Sequence, residues 1–228
     1  MVFKELLRIL RGDDPAREVM REFARMREIA TELVIDASDI YWTPTCRPEQ
    51  RQSIYDRDIQ VNELERSIRK RMVGLLSGST PLDQAHFMVL MSIAKDVERI
   101  GDYAKNLVEA SEFHCQPLPD DENVRELADI WKIIEQMLGE VAHTVQRSNM
   151  TQAQELNARG RATIQRCDSL IEHIAKGEYA ASVAVKLALG TRYYKRICGH
   201  MLNLLSSVIM PLHKLDYFDE KLLEDDFD

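Results

Sequence analysis

Residues 96–109, "DVERIGDYAKNLVE", combine an apolar face and an oxygen-bearing face at helical spacing. The oxygen-bearing side chains recur at spacings of four, four and three residues: Glu98, Asp102, Asn106 and Glu109. At about 100° per residue they share an arc of roughly 80°, whereas the apolar residues cluster on the other side. The stretch therefore predicts an amphipathic helix whose acidic face points away from the protein core.

The rest of the chain shows the same helical periodicity. Gly and Pro fall almost entirely between long stretches of heptad-like apolar spacing, and no alternating strand pattern interrupts them. Asp14-Pro15 and Thr80-Pro81 are each typical of an N-cap followed by proline at the first helical position. These signals predict an all-α protein of six helices, over about residues 14–41, 49–76, 81–113, 121–148, 151–176 and 179–210.

The segment "HCQPLPDD", residues 114–121, divides the six predicted helices into two groups of three. An internal repeat agrees with this division. The stretches "ERIGDYAKNL", residues 98–107, and "KRICGHMLNL", residues 195–204, share four of ten residues, and each lies in the third helix of its group. We therefore expect two tandem three-helix bundles, residues 1–116 and 117–215, followed by an acidic tail at 216–228.

The charge of the chain limits the classes of function. The 228 residues carry a net charge of −8, of which the last thirteen residues hold −6, leaving −2 for the body. A nucleic-acid binder needs a basic face to displace counterions from phosphates, so that class is excluded. Four apolar residues at helix-like spacing in the tail predict contact with a partner or with a second copy in a homo-oligomer such as a dimer.

Two further expectations concern location and redox state. No run of 18 apolar residues occurs, and the amino terminus lacks the apolar stretch of a signal peptide, so we expect no membrane span and a cytoplasmic location. The cysteines are widely scattered without a C-x-x-C pair: Cys46, Cys115, Cys167 and Cys198. Reduced thiols are expected for all four.

The second predicted helix offers a matching set of oxygen ligands. Asp58, Asn62 and Glu65 repeat the four-then-three spacing, and an antiparallel hairpin that turns near Gly78 would place them beside Glu98 and Asp102. Magnesium, manganese and iron prefer about six oxygen ligands, which one helix can rarely supply alone. A cation would also relieve the repulsion between adjacent carboxylates.

The residues alone leave an alternative open, namely a solvated face with ion pairs. In that case the carboxylates would be neutralised by nearby basic side chains: Arg66, Lys95, Arg99 and Lys105. Asn106 favours the metal interpretation, because Asn is a poor helix former but a serviceable carbonyl ligand for a hard cation.

The segment "DVERIGDYAKNLVE" resembles the signature of the PhoU family, and "DIQVNELERSIRKRM", residues 58–72, resembles the second helix of that family. The resemblance implies two three-helix bundles, clusters of divalent or ferric metal (Mg, Mn, Fe or Zn) on the acidic elements, and repression of phosphate uptake without enzymatic turnover. The implied partners are the ATPase subunit of a phosphate importer and a membrane sensor histidine kinase. Asp58, Asn62, Glu98 and Asp102 are then the expected metal ligands, with Glu65, Asn106 and Glu109 in supporting positions.

The second repeat departs from that pattern. Lys195 stands in place of Glu98 and Gly199 in place of Asp102, and only Asn203 is kept. A lysine ammonium at a ligand position repels a cation. We therefore expect metal in the first half only.

Enzymatic alternatives have less support in the sequence. Glu140 and His143 form a single Glu-x-x-His, whereas ferritin-like di-iron bundles use two. The common nucleotide-binding and hydrolase motifs are absent. Two alternatives nevertheless remain: a carboxylate-bridged metal-storage or redox helical-bundle enzyme, which ferroxidase activity would reveal, and a metal-free helical interaction module.

Overall fold

The computed structural model describes residues 14–44, 48–76 and 79–209. These residues form six helices: α1 Asp14–Trp42, α2 Pro48–Leu76, α3 Pro81–Ser111, α4 Glu122–Arg147, α5 Met150–Lys176 and α6 Ala181–Ile209. No strand occurs within the three described ranges. The predicted all-α class and the six helices are confirmed.

The hairpin between α4 and α5 shows how local sequence sets the helix ends. Ser148 adopts the left-handed conformation at φ 49° and ends α4, and Asn149 caps α5 by accepting a hydrogen bond from the backbone of Gln152. At the start of α4, Asp121 accepts a hydrogen bond from the backbone N–H of Val124 at 2.9 Å. Short polar side chains satisfy free N–H groups at helix starts, so these ends follow from the sequence.

The two closing helices, α3 and α6, join the two groups of helices. Helix α3 packs against α1 and α2 and also against α6, which in turn packs against α4 and α5. The apolar faces of all six helices form one continuous core. The connection at 112–121 lies at the predicted boundary, while the division into the repeats 1–116 and 117–215 stays a prediction.

The end of helix α1 also contacts α6 through two aromatic side chains. The hydroxyl of Tyr41 donates to the backbone carbonyl of Lys186 at 3.0 Å, and Trp42 Nε1 donates to the hydroxyl of Tyr194 at 3.1 Å. A Cβ atom on Gly190 would lie only 2.3 Å from the Tyr41 hydroxyl oxygen. Glycine weakens a helix interior by roughly 1 kcal/mol relative to alanine, but here it allows the tyrosine ring to approach the backbone.

The expectation of reduced cysteines is wrong for Cys115, which forms a disulfide. Distance along the sequence does not report proximity in space, and Cys115 lies in the connection between α3 and α4, where helix ends meet. Cys167 and Cys198 are buried free thiols, and burial raises the pKa of each to about 12. Cys46, the Gly78 turn and the acidic tail lie outside the described residues.

None of the six described helices is long and apolar enough to cross a lipid bilayer.

Candidate metal centre

The predicted ligands from α2 and α3 face each other across the interface between these helices. Asp58, Glu65 and Glu98 are buried, with 4%, 8% and 8% of their surface exposed. Asp58 Oδ1 lies 3.8 Å from the point where a Cβ on Gly101 would sit, so the α3 backbone lies directly beside this carboxylate. The predicted outward orientation is therefore wrong for Glu98, because α2 covers that part of the α3 surface.

The side chain of Lys105 occupies the space between two of the expected ligands. Its Nζ lies 2.8 Å from Asp58 Oδ2 and 3.1 Å from Asp102 Oδ1. Asn62 Nδ2 donates to the same Asp58 Oδ2 at 3.2 Å. Desolvation lowers the pKa of Lys105, but hydrogen bonds to Asp58 and Asp102 outweigh it and raise the pKa above its usual value. The ammonium group thus lies where the sequence predicts a cation.

Other basic side chains pair with the remaining acids of this face. Lys95 Nζ lies 2.6 Å from Glu98 Oε2, and Arg99 NH1 lies 3.6 Å from Asp102 Oδ2. Both pairs belong to the ion-pair alternative that the sequence left open.

The remaining predicted cation, Arg66, takes no part in this pairing. It donates to the backbone carbonyl of Asn62, and Arg69 pairs with Glu65 instead. This pairing of Arg69 was not predicted from the sequence, although the i,i+4 spacing between Glu65 and Arg69 indicates an ion pair on a helix.

The oxygen-bearing side chains of α2 and α3 are of the types that bind hard cations, but they are not arranged around a common point. In 14–44, 48–76 and 79–209, no group of three or more His, Cys, Asp or Glu side chains is arranged to hold a metal ion. Asp58 Oδ1 is buried and makes no hydrogen bond among the described residues, whereas Glu65 Oε1 and Glu98 Oε2 are paired with Arg69 and Lys95. A buried carboxylate oxygen without a hydrogen bond suits Mg²⁺, Mn²⁺ or iron. A cation that used Asp58 and Asp102 together would have to displace the Lys105 ammonium.

The three residues expected in supporting positions differ in their burial. Glu65 lies on the buried face, and Asn106 is half-buried one turn beyond Asp102. Glu109 is exposed and accepts a hydrogen bond from the hydroxyl of Tyr55 at 2.5 Å, so its carboxylate is engaged elsewhere. Burial and the bond to Glu109 raise the pKa of Tyr55.

The corresponding face of the second half carries an ion pair across α5 and α6. Lys195 Nζ lies 2.5 Å from Asp168 Oδ1. This contact joins α5 to α6. Lys195, which the repeat aligns with Glu98, therefore has a carboxylate partner that neutralises its charge.

A second feature that sequence reasoning missed is Asp96, a buried carboxylate on α3. It accepts hydrogen bonds from His200 Nδ1 and from Asn203 Nδ2, both at 2.8 Å, so it links α3 to α6. These partners are more than 100 residues away in sequence. No spacing pattern on either helix indicates the contact.

Part of the chain is similar to a known protein family. The family model for the PhoU domain matches residues 23–111, which span α2, α3 and most of α1. Residues 23–111 are therefore similar to the PhoU domain. The similarity includes every predicted metal ligand.

Two curated relatives from Xylella fastidiosa, strains Temecula1 and 9a5c, are named phosphate-specific transport system accessory protein PhoU homologs. Each is 31% identical to the chain over 121 residues, which cover 52% of the chain and 50% of the relative. The chain thus spans about half the length of these PhoU relatives.

Solved PhoU structures extend the fold to the second half. The crystal structure of PhoU from Pseudomonas aeruginosa has a TM-score of 0.75 at 19% identity, covering 85% of this chain and 95% of that one. The phosphate transport system regulatory protein PhoU from Streptococcus pneumoniae has a TM-score of 0.70 at 16% identity, covering 84% and 92%. At these identities the likeness shows a shared fold.

Proposed function

We propose that the protein is a regulatory adaptor of phosphate transport, which limits phosphate uptake and contributes to phosphate-responsive signalling without catalytic turnover. The observation that carries the proposal is the PhoU domain at residues 23–111, which contains the whole acidic face of α2 and α3. The names of the curated relatives, which describe an accessory role in phosphate transport, support it.

The proposed partners are those of the family resemblance: the ATPase subunit of a phosphate importer and a membrane sensor histidine kinase. The adaptor would act in the cytoplasm as a homo-oligomer. Uptake of radiolabelled phosphate by cells with and without the gene tests this proposal. We expect faster uptake without the gene when phosphate is plentiful, and unchanged uptake would contradict a regulatory role.

We further propose that the α2–α3 face binds a divalent or ferric cation (Mg, Mn, Fe or Zn) through Asp58, Asn62, Glu98 and Asp102. Glu65 and Asn106 would support these ligands. Asp58 Oδ1, which is buried and makes no hydrogen bond among the described residues, is the supporting observation. When bound, the metal would supply the positive charge that Lys105 now places between Asp58 and Asp102.

Elemental analysis of two purified variants tests the metal proposal. In the first, Glu98→Gln and Asp102→Asn remove two carboxylates from α3. In the matched control, Asp168→Asn removes an exposed carboxylate from the second half. We expect the first variant to lose bound metal and the control to retain it. Equal loss in both, or full retention in the first, would refute a site confined to the first half.

A further inference from the structure

Two large apolar side chains are exposed at the end of the α2–α3 hairpin. Val73 near the end of α2 is 61% exposed, and Met88 near the start of α3 is 63% exposed. Antiparallel contacts between the two helices, such as that of Asp58 with Lys105, place Val73 level with about residue 90 of α3. The two apolar side chains therefore lie at the same level of the hairpin.

Met88 lies on α3 between the side that contacts α2 and the side that contacts α6. Lys105 marks the first side through its ion pair with α2, and Asp96 marks the second through its hydrogen bonds to α6. Around the helix axis, Met88 lies about 100° from Lys105 and about 80° from Asp96. Its side chain is therefore on the outer face of the hairpin, where another segment of chain can cover it.

Basic side chains continue this surface along α2. Arg66, Arg69 and Lys70 are exposed within the two turns that precede Val73. Arg69 pairs with Glu65, whereas neither Arg66 nor Lys70 forms an ion pair among the described residues. We refer to the three cations and the two apolar residues as the hairpin patch: Arg66, Arg69, Lys70, Val73 and Met88. Such a surface is complementary to a segment that combines negative charge with apolar side chains.

The chain leaves α6 close to this patch. Helix α6 runs antiparallel to α3, because Lys186 near its start contacts His114 just after α3, and Asn203 near its end contacts Asp96. This direction places Ile209, the last residue of α6, level with the first turns of α3. The residues that follow Ile209 therefore begin beside the hairpin patch.

The linker to the acidic tail is long enough to reach the patch. Packed helix axes are about 8–10 Å apart, so the outer edge of α2 lies about 16–20 Å from α6 across α3. Six residues, 210–215, span about 20 Å when extended. A short linker of this kind gives an effective concentration in the millimolar range, which favours the tail of the same chain over that of a second copy.

The tail has the composition that complements the patch. Residues 216–228 contain seven acidic residues and one lysine. Large apolar side chains lie between the acids: Tyr217, Phe218, Leu222, Leu223 and Phe227. The tail thus combines acidic and apolar side chains, as the patch combines basic and apolar ones.

We propose that residues 216–228 bind to the hairpin patch of their own chain. The acids of the tail pair with the cations of α2, and its apolar side chains cover Val73 and Met88. The bound tail closes the patch to other acidic proteins. The inference depends on the charge and position of the tail, and neither on metal binding nor on phosphate uptake.

Crosslinking of the full-length protein with a carbodiimide tests the proposal, because this reagent joins a carboxylate directly to a lysine amine in contact with it. Lys70 is the reporter. Unlabelled and nitrogen-15-labelled protein are mixed equally in urea, refolded together and crosslinked, and mass spectrometry identifies the peptides joined to Lys70. A link within one chain joins peptides of the same isotope, whereas links between copies join different isotopes as often as the same one.

Two variants show whether the patch holds the tail. The test variant leaves the reporter in place and removes one charge and both apolar side chains: Arg66→Gln, Val73→Ser and Met88→Gln. The matched control changes an exposed arginine, valine and methionine of the second half in the same way: Arg125→Gln, Val185→Ser and Met150→Gln.

We expect links of the same isotope between Lys70 and residues 216–228 in the native protein. In the test variant their yield should fall at least about threefold. Losing one apolar contact of this size weakens binding about tenfold or more, so the tail is then no longer bound most of the time. The control should give the native yield, and circular dichroism should show both variants folded.

Three outcomes would overturn the inference. Lys70 is not joined to the tail in the native protein, the test and control variants give equal yields, or links between different isotopes are as frequent as links within one, which is the result for a tail that binds a second copy. Neither metal nor phosphate enters the measurement, so failure here leaves the adaptor proposal standing.

Discussion

Replacing Lys105 by methionine tests the α2–α3 face most directly. The methionine keeps most of the volume of the side chain but removes the ammonium group that bridges Asp58 and Asp102. Asp58 would then lose its ion-pair partner, and Asp102 would keep only the more distant Arg99. We expect the variant to be less stable than the native protein without metal, and to regain stability with metal.

The magnitude follows from the burial of the three side chains. Breaking a buried ion pair by removing one partner costs about 3–5 kcal/mol. Asp58 is 5% exposed in its side chain, but Lys105 and Asp102 are 23% and 26% exposed, and solvent screening weakens their contribution. We therefore expect a loss of about 2–3 kcal/mol. For a chain of this size that corresponds to a melting temperature lower by roughly 5–10 °C.

Thermal unfolding followed by circular dichroism, with chelator and then with Mn²⁺, measures both effects. Metal at a hundred times its dissociation constant stabilises a folded protein by about 2.7 kcal/mol, which is enough to offset the loss. The native protein should gain less, because metal must first displace the ammonium group. Lys132→Met is the control, since Lys132 forms only an exposed i,i+3 pair with Asp129.

Two results would refute this reasoning. If Lys105→Met melts at the same temperature as Lys132→Met in chelator, the bridge contributes nothing to stability. If Mn²⁺ raises the melting temperature of Lys105→Met no more than that of the native protein, the two carboxylates do not form a cation site once the ammonium is gone.

Further predictions concern the α6 helix. Burial lowers the pKa of Lys186 from 10.5 to about 8, so the folded protein carries an unfavourable charge below pH 8 and gains stability as the pH rises toward 10.5. Lys186→Met removes the bond from Lys186 Nζ to the His114 carbonyl at either pH, but its effect on the free energy of unfolding should be about 2 kcal/mol more favourable at pH 7 than at pH 10.5, and urea unfolding that gives the same effect at both pH values would contradict this. Gly190→Ala should destabilise by about 3 kcal/mol, because the new Cβ would lie 2.3 Å from the hydroxyl of the fixed, buried Tyr41. Gly160→Ala, which meets the end of the Leu202 side chain at 2.4 Å, should cost less because a leucine can rotate, and the order of the two urea midpoints checks this.

The sequence was enough to predict the helices, because their ends depend on nearby residues. The turn at Ser148 and Asn149 illustrates this, since capping needs only the residues next to the helix end. Apolar spacing likewise depends only on the helix itself. Both signals are complete within a short window of sequence.

The arrangement of the site could be predicted only in part. A helical wheel shows that Glu98 and Asp102 share a face, but α3 packs against α1, α2 and α6, so little of its circumference faces solvent. The burial of Glu98 and the contacts of Asp96 depend on which helices cover α3. The i,i+3 spacing indicates the pairing of Lys105 with Asp102, but the contact of Lys105 with Asp58 depends on how α2 packs against α3.

The contact between the end of α1 and α6 affects which substitutions the second half of this chain can tolerate. The acceptor for the Tyr41 hydroxyl is a backbone carbonyl, which is present whatever side chain occupies position 186. A side chain at position 190 would block this approach. Substitutions on the outer faces of α5 and α6 that remove acidic side chains and introduce basic ones therefore leave the bond between Tyr41 and the backbone of α6 in place. A duplicated unit built in this way can change its chemistry while it continues to support its neighbour.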